Sequence, residues 1–118
     1  MKIHESLSIT GTDQMFAMLQ TGAVFHSCRF DGADLTGLEA EFMEFESCSL
    51  RRADFSGLVC PSLCILDSDA QGACFEDADI QEAEFLRSVC TSANFRGAKL
   101  NLSRMVDCDL SLSNFDGA

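Results

Sequence analysis

The chain has no tryptophan, no tyrosine, a single proline and two histidines among its 118 residues. Its ten phenylalanines carry no hydrogen-bonding group, so they suit a dry core. No apolar run approaches the roughly eighteen residues of a membrane span, and the N-terminal MKIHESLSIT lacks the apolar centre of a signal peptide. We therefore expect a soluble, cytoplasmic protein.

Positive charge is also scarce, since eight Lys and Arg residues face nineteen Asp and Glu residues, for a net charge of -11. Nucleic acid and anionic membranes would repel such a chain, which argues against direct binding to either. Basic proteins remain as the natural partners.

The seven cysteines include no CxxC pair, and their number is odd. This count fits reduced, buried thiols that pack as small apolar side chains better than a disulfide framework. We expect no zinc site, because the outward cysteines Cys64 and Cys74 face different sides of the structure derived next.

One pattern dominates what is present: every residue whose number is a multiple of five, from Phe25 to Phe115, is apolar. The residue two before each of these is Ala, Ser, Cys, Leu or Met. A period of five fits neither the 3.6 residues of a helix turn nor the alternation of an ordinary strand. The pattern instead predicts short strand-like sides that place two residues inward and then turn.

Four such sides close a square coil of twenty residues, and successive coils can stack about 4.8 Å apart as in a sheet. Residues twenty apart then form columns, such as Leu35, Phe55, Phe75, Phe95 and Phe115. Glycine recurs at one corner, as Gly37, Gly57, Gly97 and Gly117, where a backbone without Cβ turns most freely. The sequence therefore predicts an all-β, four-sided solenoid.

These units resemble the pentapeptide repeat family, whose pattern is often written A(D/N)LXX; matching triplets begin at Ala33, Ala53, Ala78 and Ala93. The resemblance covers residues 23–118 and implies a right-handed quadrilateral β-helix of just under five coils. The F-x-x-C-x-F/L phrases that begin at Phe25 and Phe45 also resemble the quinolone-resistance (Qnr-like) branch. Members of that branch resemble DNA in shape and charge and bind DNA gyrase and topoisomerase IV.

Residues 1–22 break the pattern and are predicted to form an N-terminal cap. Thr12 reads as an N-cap, followed by a helix of about two turns and a C-terminal Gly22, with Met15, Phe16 and Leu19 covering the first coil. The last residues, SLSNFDGA, stop in mid-repeat. An open coil exposes strand edges, so we expect either a continuation into a longer protein or a homodimer through this coil.

Catalysis has little support, because His4 and His26 are the only histidines and the repeat places no nucleophile beside either. We expect a protein that is not an enzyme and that has no cofactor and no metal. The charge pattern is more informative. We number the sides in chain order, the first being the side around Phe25, Phe45 and Phe85.

On the second side, three arginines balance three aspartates, whereas the first, third and fourth sides carry the net negative charge. A straight rod with three acidic sides can enter a basic groove built for DNA. The resemblance and the charge together predict a DNA mimic that binds a type II topoisomerase such as DNA gyrase and protects it from quinolones or other poisons. The predicted partner-binding residues are Asp34, Asp54, Glu76, Asp77, Asp79, Glu82 and Glu84.

The alternative from the same residues is a rigid structural or protein-interaction module, perhaps a piece of a larger protein, whose charge serves only to keep the rod dispersed.

Overall fold

The protein is built from short parallel strands that stack on one another. Its computed structural model describes residues 2–16, 18 and 22–118. Within these residues there is one short helix, α1, which spans Thr12–Phe16. The strands are β1 (Lys2–Glu5), β2 (Ala23–His26), β3 (Met43–Glu46), β4 (Cys64–Leu66), β5 (Glu84–Leu86) and β6 (Arg104–Val106).

The six strands form one parallel sheet in chain order, β1 to β6, and this sheet is the first side of the solenoid. From β2 onward each residue pairs with the residue twenty further on, as Phe25 does with Phe45. Single bridges with the same spacing run along the other three sides, for example Asp34 with Asp54 and Val59 with Asp79. The predicted right-handed quadrilateral β-helix with twenty-residue coils is confirmed.

Stacked phenylalanines fill the core. The rings of Phe55, Phe75 and Phe95 are fully buried, and successive ring centroids lie 5.1 Å apart with interplanar angles of 6° and 3°. The stack continues to Phe115, whose ring centroid lies 4.9 Å from that of Phe95. Phe115 itself is 37% exposed. The inward positions predicted from the period of five are thus buried except for Ala40, Leu100 and those of the last coil, where burial is at most partial.

The corners require a backbone conformation with positive φ, which few residues other than glycine adopt readily. Gly37, Gly57, Gly97 and Gly117 have φ of 68° to 70°, as the glycine column predicted. At such a corner the chain turns, and a backbone hydrogen bond joins residues i and i+3, as where Leu58 N donates to Phe55 O at 3.0 Å. A positive φ at the third residue of this turn favours glycine because a Cβ is disfavoured there.

The corner between the first and second sides is held differently, by small inward side chains. Ser68 Oγ accepts a hydrogen bond from Cys48 N at 3.1 Å and donates to Leu66 O at 2.8 Å, and Ser88 repeats both contacts one coil later. Cysteine stands at the same position in other coils, where Cys48 Sγ lies 3.3 Å from Phe25 O. This column therefore selects Ser or Cys because both can bond a buried carbonyl.

The N-terminal segment differs from the predicted cap, because the sheet already begins at Lys2. β1 pairs with β2, Ser8 bridges to Arg29, and Gly11 bridges to Asp34. These pairings are not twenty apart, so the first coil lies outside the five-residue phase. Under five coils would extend roughly 23 Å, and the added coil contributes about 4.8 Å of the difference from the observed 33 Å.

Helix α1 also departs from prediction at its start. Gln14 Oε1 accepts hydrogen bonds from Gly11 N at 3.2 Å and Thr10 N at 2.6 Å, so Gly11 rather than Thr12 occupies the N-cap position, and only the Gln14 half of a capping box is formed. Met15 is fully buried as predicted. Phe16 was predicted to cover the core, but it is 63% exposed because it lies on the outer face of the turn. The predicted contact of Leu19 lies outside the described residues.

Replacing Phe75 with alanine should lower the free energy of unfolding by about 3–5 kcal/mol, because it removes a ring stacked on both sides and leaves a cavity. Urea denaturation measures the change. Glu76→Gln, at the next position but facing outward, is the matched control and should change stability by less than about 0.5 kcal/mol. A Phe75→Ala loss as small as the control's would contradict the stacked-core account.

Candidate partner-binding surface

All seven acidic residues predicted to bind a partner lie at outward positions, but the structure divides them into two groups. Asp34 and Asp54 are bridge partners in neighbouring coils and form a column on the third side. The other five lie within a single coil and follow the chain from the third side across the fourth to the first: Glu76, Asp77, Asp79, Glu82 and Glu84. We call these five the acidic belt.

In the column, each aspartate is held by the hydroxyl residue two positions on. Asp34 Oδ1 accepts bonds from Thr36 Oγ1 at 2.8 Å and Thr36 N at 3.2 Å, and Ser56 holds Asp54 in the same way at 2.6 and 3.0 Å. The Thr36 hydroxyl, followed by its backbone N–H, lowers the pKa of Asp34. This carboxylate therefore stays ionised in a fixed orientation.

The acidic belt contains both paired and unpaired carboxylates. Arg104 Nη1 donates to Glu84 at 2.9 Å, and the Gln81 amide donates to Asp79 at 3.0 Å. Asp77 and Glu82 are exposed corner residues with φ of 56° and 63°. Among the described residues, neither forms an ion pair.

Asp77 occupies the corner that glycine takes in the coils on either side. A Cβ added to Gly97 would meet the Asp77 carboxylate, so that carboxylate lies directly over the next corner. Asp77 therefore lies exposed where the third and fourth sides meet.

The second side neutralises itself, as its composition predicted. Arg51 Nη1 lies 3.6 Å from Asp69, and Asp31 accepts bonds from Ser49 Oγ and, at 3.1 Å, from Arg51 N. The surface offered to a cationic partner thus excludes this side.

The thiols fit the predicted packing role, since all seven cysteines are free. Burial raises the pKa of Cys48 and Cys60 to about 11 and that of Cys90 to about 12. Cys64, which is only partly buried, also has a raised pKa, caused first by burial and then by Glu44 and Glu84. Thiols that stay protonated at neutral pH are poor nucleophiles.

A different cluster lies on the first side, and sequence reasoning did not select it. His26 Nε2 lies 2.9 Å from Glu46 Oε2, and Glu44 lies close to both. Within the described ranges, these three residues are the only group of His, Cys, Asp or Glu whose ligand atoms could converge on one metal ion. The spacing of twenty between His26 and Glu46 was the available signal.

Comparison with known proteins identifies the repeat. The family model described as Pentapeptide repeats matches residues 73–111 and 88–118, in 8 copies. No curated protein sequence is similar enough to match the chain. In the part of the chain that the structure describes, no helix has both the length and the apolar character needed to cross a membrane.

Solved structures share the fold. A trypsin-treated variant of QnrB1, described as a plasmid-mediated fluoroquinolone resistance protein, aligns with a TM-score of 0.65 at 22% identity, covering 93% of this chain and 56% of its own. A second trypsin-treated QnrB1 variant aligns at 0.58 and 18%, covering 98% and 73%. The pentapeptide repeat protein Rfr23 from the cyanobacterium Cyanothece 51142 aligns at 0.50 and 15%, covering 97% and 88%.

The family model covers residues 73–118, and the same coil geometry continues through the residues before them, so the chain resembles pentapeptide repeat proteins and shares the fold of QnrB1. It spans little more than half the length of the first of these QnrB1 chains.

Thr36→Val removes the hydroxyl that is the main cause of the low Asp34 pKa, so the Asp34 pKa should rise toward its usual value. Carboxyl NMR titration measures this. A depressed folded-state pKa means that Asp34 favours the folded state above its ordinary pKa and loses that contribution as the pH falls through the folded value. Asp109, held by Ser111, is the internal control and should not move; an unchanged Asp34 pKa would contradict the assignment.

Proposed function

We propose that this protein is a non-enzymatic DNA mimic that binds a type II topoisomerase, such as DNA gyrase, and protects it from quinolones or other poisons in the cytoplasm. The observation that carries the proposal is the distribution of charge around a straight rod. Unpaired carboxylates project from the third and fourth sides, while the second side is internally neutral.

Shape supports the same proposal. The rod is 22 × 21 Å across, a width similar to that of a DNA duplex. Duplex phosphates recur about every 3.4 Å along one strand, whereas stacked residues of one column recur about every 4.8 Å. A single column is therefore too sparse to imitate a strand. The acidic belt adds carboxylates around the rod after the rung of Cys74, which follows Asp54 in the column.

The QnrB1 likeness supports the proposal at the level of fold, since a similar geometry occurs in a protein described as a plasmid-mediated fluoroquinolone resistance protein. A basic groove recognises a pattern of charge and width rather than a fold. The decisive property is therefore the carboxylate set of this chain.

The test is DNA supercoiling by purified gyrase, titrated with this protein with and without a fluoroquinolone. We expect inhibition, or rescue from the drug, at micromolar protein. The triple change Asp77→Asn, Asp79→Asn and Glu82→Gln should weaken the effect about tenfold or more, because three carboxylates at the centre of the surface are lost.

The matched control is Gln71→Lys, Val89→Lys and Ser92→Lys, which raises the net charge by the same amount at outward positions of the second side. Its effect on supercoiling should be small. Equal losses in both triples would show that only the net charge matters. No effect of the folded wild-type protein at any concentration would refute the proposal and favour the rigid interaction module.

A homodimer through the last coil is part of the proposed function. Leu102 and Leu112 there are 83% and 86% exposed, and Phe115 is 37% exposed. Two copies joined at this coil would double the length of the acidic rod. An end-to-end contact over the whole 22 × 21 Å cross-section would bury only about 900 Å² in total, at the low end for specific interfaces. The dimer is therefore expected to be weak.

Sedimentation equilibrium should show a concentration-dependent dimer in the wild-type protein. Leu102→Lys with Leu112→Lys should make the protein monomeric, because both changes bring charge to the rim of the contact. Val59→Lys, at an exposed position on the fourth side, is the control and should leave the equilibrium unchanged. A monomeric wild type at all concentrations, or a dimer unaffected by the double change, would contradict this interface.

A further inference from the structure

The cluster on the first side consists of His26 on β2 and of Glu44 and Glu46 on β3. His26 and Glu46 are paired residues of neighbouring parallel strands, and Glu44 lies two residues before Glu46 on the same outward face. All three are half-buried, and their ligand atoms lie within 4.8 Å of one another. Regular sheet backbone, rather than a loop, thus presents three potential ligands together.

The spacing suits a metal ion. Zinc binds imidazole nitrogen and carboxylate oxygen at about 2.0–2.2 Å in tetrahedral geometry, so two ligands of one ion lie about 3.4 Å apart. His26 Nε2 and Glu46 Oε2, at 2.9 Å, already lie near this separation. All three ligand atoms lie within 4.8 Å of one another, so a change in the side-chain torsions of the flexible Glu44 can bring the third ligand to it.

The charges around the cluster also favour a cation. Both arginines that lie along the first side are held by other carboxylates: Arg87 by Asp67 at 2.7 and 3.1 Å, and Arg104 by Glu84 at 2.9 Å. Among the described residues, no lysine or arginine forms an ion pair with Glu44 or Glu46. Among the described residues, His26 is therefore the one direct ion-pair partner of this pair of carboxylates, and Arg87 acts on Glu46 only at longer range.

We propose that His26, Glu44 and Glu46 form a binding site for a divalent transition-metal cation of the Zn²⁺ type. The mixed nitrogen and oxygen ligands favour Zn²⁺ over Mg²⁺ and Ca²⁺, which prefer oxygen alone. Three protein ligands leave a coordination position open for water or for a side chain of a partner. The bound ion would also cancel the charge of Glu44 and Glu46, and so confine the free acidic surface to the third and fourth sides.

Isothermal titration of the reduced, full-length protein with Zn²⁺ tests the site. We expect one Zn²⁺ per chain and a higher melting temperature with the metal, since binding to the folded state alone stabilises it. His26→Gln and Glu44→Gln should each weaken binding by at least about tenfold, because loss of a mere supporting group already costs that much. Both residues face outward, and circular dichroism checks that each variant is folded.

Two controls separate this site from adventitious binding. Glu84→Gln removes a carboxylate from the same side outside the cluster, and Cys64→Ser removes the nearest partly exposed thiol. Both should bind Zn²⁺ as the wild type does. Wild-type affinity in His26→Gln and Glu44→Gln, or loss of binding in Cys64→Ser alone, would overturn the proposal. These readouts do not involve gyrase, so they are independent of the proposed function.

Discussion

The in-register pairing of each residue with the residue twenty positions on is the constraint on which the structure depends. Parallel backbone bonds fix the rung at about 4.8 Å, so whatever occupies one position is held against its equivalent in the next coil. At inward positions this stacks Phe55, Phe75 and Phe95 ring on ring. At the corners it stacks the glycines. At outward positions it places charged side chains of neighbouring coils next to each other.

The consequence at the surface depends on which residues the register brings together. Opposite charges twenty apart form ion pairs, as Asp67 does with Arg87 and Glu84 with Arg104. Exposed pairs of this kind contribute little to stability, because water and salt screen the attraction. Like charges twenty apart, as in Asp34 and Asp54, repel each other across one rung. Hydrogen bonds from the hydroxyl residues two positions on, as from Thr36 to Asp34, offset part of that cost.

The sequence is sufficient to predict the fold because the period of five states the register directly. Burial at every fifth position and the positive φ of Gly57 and Gly97 follow from it. The coil formed by β1 escaped prediction because Lys2 pairs with Ala23 and Gly11 with Asp34, out of the twenty-residue phase. The exposure of Phe16 was not predicted, because an apolar residue at the end of a short helix has no periodic partner that fixes its direction.

The candidate surface was only partly predictable, since the period gives the direction of a side chain but not its hydrogen-bond partner. Glu84 faces outward as expected, yet its carboxylate is paired with Arg104, and that of Glu46 is paired with His26. Within the acidic belt, Asp77 and Glu82 form no ion pair among the described residues, and they lie at the two corners of the fourth side. A basic groove that received this rod would therefore meet the fourth side and its two corners more readily than the neutral second side.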